Sequence, residues 1–246
     1  MPIYEVKKIE GRDLYLIGGL PDVGLVGTLA TIHLIKQFKM EEVGYYDSNK
    51  LPPILVLDSG LPKSPVRIFS HRNIMVLTSE VALPLNVFDD LANSIIEFAV
   101  EKKFRAVIMI TGLITRDRID VEVPRVFGAA SSEEGLKLLK NAGIELMNEG
   151  YLAGINALIL KKAASKGVTS IVLMAQSFEA YPDPGAAASA LESLAKIIGI
   201  TIDVEKLRKE EEILRVKLRE LMKRTREVMD RITKIYELQK PALMYV

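Results

Sequence analysis

Thr111, Thr115 and Arg116 stand together in Thr111-Gly112-Leu113-Ile114-Thr115-Arg116-Asp117, directly after a wholly apolar run, and they are residue types that hold anions. A guanidinium grips phosphate or carboxylate with two parallel hydrogen bonds, and threonine hydroxyls donate to the remaining oxygens. Arg116 can equally be scaffold, paired with Asp117, Asp120 or Glu122. In Gly18-Gly19-Leu20-Pro21-Asp22-Val23-Gly24-Leu25-Val26-Gly27, glycines such as Gly24 and Gly27 permit a tight strand-to-helix turn that can present helix N–H groups to an anion. The spacing matches neither phosphate-binding glycine motif, and no lysine lies close in sequence, so a structural turn is the favoured reading. Glu179 and Asp183 are a candidate carboxylate pair without a local metal cluster or water-activating partner. His33 lies within an apolar helical pattern, and His71 in a turn between strand-like runs. Cysteine is absent, which excludes disulfides, thiolate zinc sites and cysteine nucleophiles. No nucleophile elbow, zinc-binding H-E-x-x-H or calcium loop is present, so no catalytic residue, metal or cofactor is assigned.

A different chemistry stands in Lys240-Pro241-Ala242-Leu243-Met244-Tyr245-Val246. A C-terminal carboxylate can be captured by a lysine or by backbone N–H groups. Tyr245 adds a rigid ring with a polar tip, and Met244 a deformable apolar contact. The alternative is a tail folded back on its own core.

Positioning these groups requires elements that the pattern supplies. Short apolar runs alternate with helical patterns over the first 200 residues, which predicts an α/β fold: a mixed, mostly parallel sheet flanked by helices. Strands are expected at residues 14–17, 54–57, 67–69, 74–77, 106–110, 125–128 and 170–175. Val107-Ile108-Met109-Ile110 and Ile171-Val172-Leu173-Met174 are apolar at every position, as central parallel strands are. Helices are expected at 25–38, 87–103, 133–141, 156–166 and 186–198. Asn86 stands where an N-cap would, and Gly167 and Gly199 where helices end.

The character changes after Gly199. Residues 203 to 240 hold 21 charged side chains and neither glycine nor proline, which predicts one long helix of about 55 Å. Its apolar positions, Leu207, Leu214, Leu218, Leu221, Val228, Ile232 and Ile235, are spaced by threes and fours and form a candidate oligomerisation stripe. Met222, Met229 and Tyr236 broaden it beyond a two-stranded seam, so it should pack on a domain face or in a bundle of several helices. The expected division is an α/β core over 1–200, a charged amphipathic helix over 201–240 and an apolar docking tail over 241–246.

Lysine and arginine total 33 against 32 acidic residues, a net charge of +1, so composition points to neither nucleic acid nor an acidic membrane. No run reaches the roughly 18 apolar residues of a membrane span, and the N-terminus lacks the apolar run of a signal peptide, so a cytoplasmic protein is expected. A hydrophobic fraction of 49% fits extra apolar surface buried between subunits. Only three glutamines, Gln37, Gln176 and Gln239, lean toward a heat-adapted source.

Four pieces in order, Gly19-x-Pro21-x-x-Gly24-x-x-Gly27, Thr111-Gly112, Gly154-Ile155-Asn156 and Glu179 through Asp183-Pro184, resemble the proteasome-assembly chaperone family over residues 13 to 199. That resemblance, closest to archaeal members, implies a phosphorylase- or hydrolase-like α/β core, a helical extension and a C-terminal hydrophobic-Tyr-X motif. Here Met244, Tyr245 and Val246 match the motif. The implied partners are proteasome α-subunits, further copies of the chain in a ring or cage, and a related family member. The alternative is an enzyme for nucleoside- or nucleotide-type small molecules, with a cleft at the strand C-terminal ends near Gly24, Gly27, Thr111, Arg116 and Glu179.

Overall fold

The computed structural model describes residues 3–9, 11–115, 117–209, 213, 216 and 218–238, the side chains of 233 and 235–238 excepted. Among them a nine-stranded mixed sheet carries helices on both faces. Its centre is four parallel strands: β7 (Ile74–Ser79), β2 (Tyr15–Gly19), β8 (Ala106–Ile114) and β11 (Ser170–Ser177). Every residue of β2, β7 and β11 is buried, because helices cover both faces. Antiparallel strands flank this centre. On one side stand β6 (Val66–His71), β3 (Glu41–Tyr46) and β1 (Ile3–Glu5). On the other, β9 (Val126–Ala130) pairs antiparallel with β11, and β10 (Glu145–Leu146) pairs parallel with β9. Parallel pairing is thus concentrated where the crossover helices are. A separate hairpin joins β4 (Val56–Asp58) to β5 (Leu61–Lys63).

Alternate residues of one strand feed different cores. Leu16, Met75, Val107 and Val172 pack with α2 (Leu85–Glu101) and α4 (Ile155–Lys166). Ile17, Val76, Ile108 and Leu173 pack with α1 (Val26–Gln37) and α5 (Pro184–Ile198), with α3 (Glu133–Asn141) also on this face. Local signals mark several ends. Gly167 and Gly199 adopt φ of 66° and 70° as left-handed C-caps, and Ser132 accepts from Gly135 N at the start of α3. Asn86 is not an N-cap: α2 starts after Pro84, whose fixed φ of −71° suits the entry, and Asn86 lies inside the first turn.

Gly27 lets α1 lie directly on the sheet. A Cβ there would stand 2.2 Å from Ile110 O, a backbone atom that cannot step aside. Gly27→Ala is therefore expected to lower stability by about 1–3 kcal/mol in guanidinium unfolding, the range of an overpacked core. A variant as stable as the parent would show that α1 shifts freely.

Beyond the sheet the chain does not form one unbroken helix. α6 (Glu205–Lys209) and α7 (Arg219–Leu238) are distinct, with Leu218 in a turn, and residues 210–212, 214, 215 and 217 lie outside the described residues. Val204 and Leu207 are buried in the core beside α5, so that core runs past residue 200. His33 on α1 secures this return, its Nε2 lying 2.7 Å from Asp203 O. Met222 and Thr225, 3% and 1% exposed, bring α7 back against the domain, as a broad apolar stripe demands.

Candidate functional site

The turn after β2, at the sheet's C-terminal edge, is tightly wound. Gly24 and Leu25 adopt φ of 59° and 50° in succession, inside a 3-10 turn that leads into α1. A side chain at Gly24 would meet Ser177 Oγ at 2.0 Å, while Gly24 O accepts from Asp183 N at 2.8 Å. The turn is thereby locked to the loop between β11 and α5. That lock carries Asp22 to the edge of a cavity.

The cavity, about 600 Å³, lies at the C-terminal ends of β2 and β8. The first turn of α4 and the loop before it form one wall, and Thr225, Val228, Met229 and Ile232 of α7 also line it. Its surface is mostly apolar, and Asp22, Thr111 and Asn156 stand together among its polar side chains, which also include Asn148, Tyr151 and Thr225. Asn156, at the second position of α4, donates from Nδ2 to Asp22 Oδ2 at 3.2 Å, and Thr111 lies alongside. Asp22 Oδ1 and Asn156 Oδ1 are shielded and lack a protein partner. Burial pushes the Asp22 carboxyl up to about 7, and the neighbouring Thr111 hydroxyl and Asn156 amide pull it back only in part. The residue as a whole keeps some exposed surface, which Oδ1 does not share.

A second buried charge is fully matched. Arg118 holds Asp183 through Nε to Oδ2 at 2.7 Å and Nη2 to Oδ1 at 2.8 Å, and Arg118 Nη1 donates to Val121 O. Asp183 also caps α5 by accepting from Ala186 N, and it accepts from Phe178 N. The Arg118 guanidinium lies 4.6 Å from the centre of the Phe178 ring. With every polar group partnered, this pair reads as a clamp between two loops rather than a reactive site.

The residues marked from sequence separate here. Thr111 lines the cavity; Gly24 and Gly27 serve close backbone packing; Glu179 is exposed and outside the lining; Arg116 lies outside the described residues. Asp183 pairs with Arg118 and not with Glu179. Of the stripe, Leu207 is buried within its own domain and so is not free for an oligomer seam. Leu218 and Leu221 are half-buried, and Val228 and Ile232 line the cavity. Leu214 and the Ile235 side chain lie outside the described residues, as does the tail with Met244, Tyr245 and Val246. Asp22, Asn156 and Arg118 were not marked. The available signal was a carboxylate inside a glycine turn and one amide opening the apolar first half of a helix.

Among the described residues no cluster of histidine, aspartate and glutamate could hold a metal, and no helix is long and apolar enough to cross a membrane. None of the described residues lining the cavity is a lysine or arginine that could hold phosphate.

The chain belongs to the PAC2 family, whose model matches residues 16–222, so the match runs through α6 into α7. Its resemblance to proteasome-assembly chaperones is borne out by PbaA of Pyrococcus furiosus, described as an archaeal homologue of a proteasome-assembly chaperone. That structure is 31% identical with a TM-score of 0.85, over 93% of this chain and all of the other. PbaB of the same organism, described as an archaeal proteasome activator, shares the fold at 22% identity and a TM-score of 0.75, over 89% of this chain and 97% of its own. An uncharacterised protein of Methanocaldococcus jannaschii is 28% identical over 97% of this chain and 98% of its own length.

Proposed function

We propose that the chain is an oligomeric proteasome-assembly chaperone or activator-like protein of the cytoplasm, which docks on the proteasome α-subunit ring through Met244, Tyr245 and Val246. The observation that carries this reading is the likeness to PbaA along nearly the whole chain, joined to a hydrophobic-Tyr-X tail in the sequence. Tyr245 would anchor, Met244 would fill apolar space, and the Val246 carboxylate would meet a basic residue. Leu55, Leu57 and Leu61, all more than 60% exposed on and beside the β4–β5 hairpin, support self-association. Several copies of a weak tail on one scaffold gain avidity by effective concentration, and a related family member could share that scaffold.

The test is binding of the full chain, and of a variant lacking residues 244–246, to an immobilised α-subunit ring, with light scattering on both. Truncation is expected to weaken retention by tenfold or more, roughly the loss of one interface anchor multiplied by avidity, at unchanged mass. Dispersal of the oligomer on truncation would make the tail a structural latch instead.

A further inference from the structure

The cavity beneath α7 has a chemistry that proteasome docking does not use. Asn156 is 6% exposed and Thr111 5%, yet Asn156 Oδ1 and its neighbour Asp22 Oδ1 have no protein partner. Asn156 Nδ2 is already committed to Asp22 Oδ2, so with Asp22 ionised, as at pH 8, the unmatched oxygens Asp22 Oδ1 and Asn156 Oδ1 are both acceptors. Buried acceptors without donors are rare in folded chains and ask for a group that supplies N–H or O–H. A carboxylate or phosphate would bring more acceptors against Asp22. An ammonium brings three donors and the opposite charge. Most of the remaining lining, including Leu83, Phe88, Leu113, Met174 and Met229, offers apolar contact, with Asn148, Tyr151 and Thr225 as further polar side chains. A volume of about 600 Å³ lies in the range of small-molecule sites.

We propose that this cavity binds a small molecule with an apolar body and a primary-ammonium head, the head seated at Asp22 and Asn156 and the body clasped between the sheet edge and α7. Because Val228, Met229 and Ile232 contribute to the lining, a bound molecule holds α7 against the domain.

The experiment is calorimetric titration of the full chain at pH 8 with n-octylamine, and with octanoate as the head-group control. Octylamine is expected to saturate near one per chain, with octanoate at least about tenfold weaker. Asp22→Asn should remove that preference, and Val228→Trp should weaken octylamine by about tenfold or more with an unchanged circular dichroism spectrum. No saturable octylamine binding up to about 1 mM, octanoate binding as tightly, or octylamine indifferent to Asp22→Asn would each overturn the proposal.

Discussion

Asp183→Ala is expected to lower the stability of the folded chain by about 3–5 kcal/mol, the cost of leaving a buried charge without its partner. Arg118 is 7% exposed and Asp183 fully buried, so water cannot replace the lost carboxylate. The same change removes the cap on Ala186 N and the acceptor for Phe178 N, which adds roughly 1 kcal/mol at the start of α5. Asp183→Asn keeps an acceptor for the cap and loses the charge, so it should fall between the two. Exposed Glu179, four residues away, supplies the contrast: Glu179→Ala is expected to stay within about 0.5 kcal/mol. Guanidinium unfolding of all three variants measures this. Equal midpoints for the Asp183 and Glu179 variants would mean that the ion pair does not hold the loops.

Asp22→Asn is expected to act in the opposite direction. Burial raises the Asp22 carboxyl from an ordinary 3.8 to about 7, so the fold prefers it neutral. Its contribution is fully favourable below the unfolded value near 4 and is lost as pH rises through about 7. Above that, an ionised Asp22 destabilises the fold by at most about 4 kcal/mol, and by about 2–4 kcal/mol once its partial exposure is counted. Asparagine carries no such penalty. The variant should therefore be more stable than the parent at pH 8 by that amount, with the difference shrinking toward zero near pH 4. Unfolding midpoints of both proteins across pH 4.5 to 8.5 measure it, and His33 and His71 cancel because both proteins retain them. A gap that does not change with pH would assign no ionisation penalty to Asp22. A carboxylate kept at such a cost is the kind of group that binding sites retain.

The same two residues mark how far the sequence reached. Continuous apolar runs announced β8 and β11, because a strand covered on both faces has no polar alternation to disguise it. Gly167 and Gly199 announced helix ends, since only a left-handed residue closes those turns without strain. β3, with Glu41, Glu42 and Gly44, went unread: it is half-exposed, bulged between Glu42 and Gly44, and next to the sheet's outermost strand. The breadth of the terminal stripe required a face to pack on, and it could not say which.

What the sequence by itself determined is the set of local decisions: strand or helix, where each ends, and the family signature in its glycines and threonines. What tertiary structure decided is every pairing across distance. Arg118 reaches Asp183 from 65 residues away, and Asn156 reaches Asp22 from 134. The physical reason is that periodicity and capping act within one element, whereas burial, unmatched acceptors and a raised carboxyl arise only when separate elements exclude water from the same place.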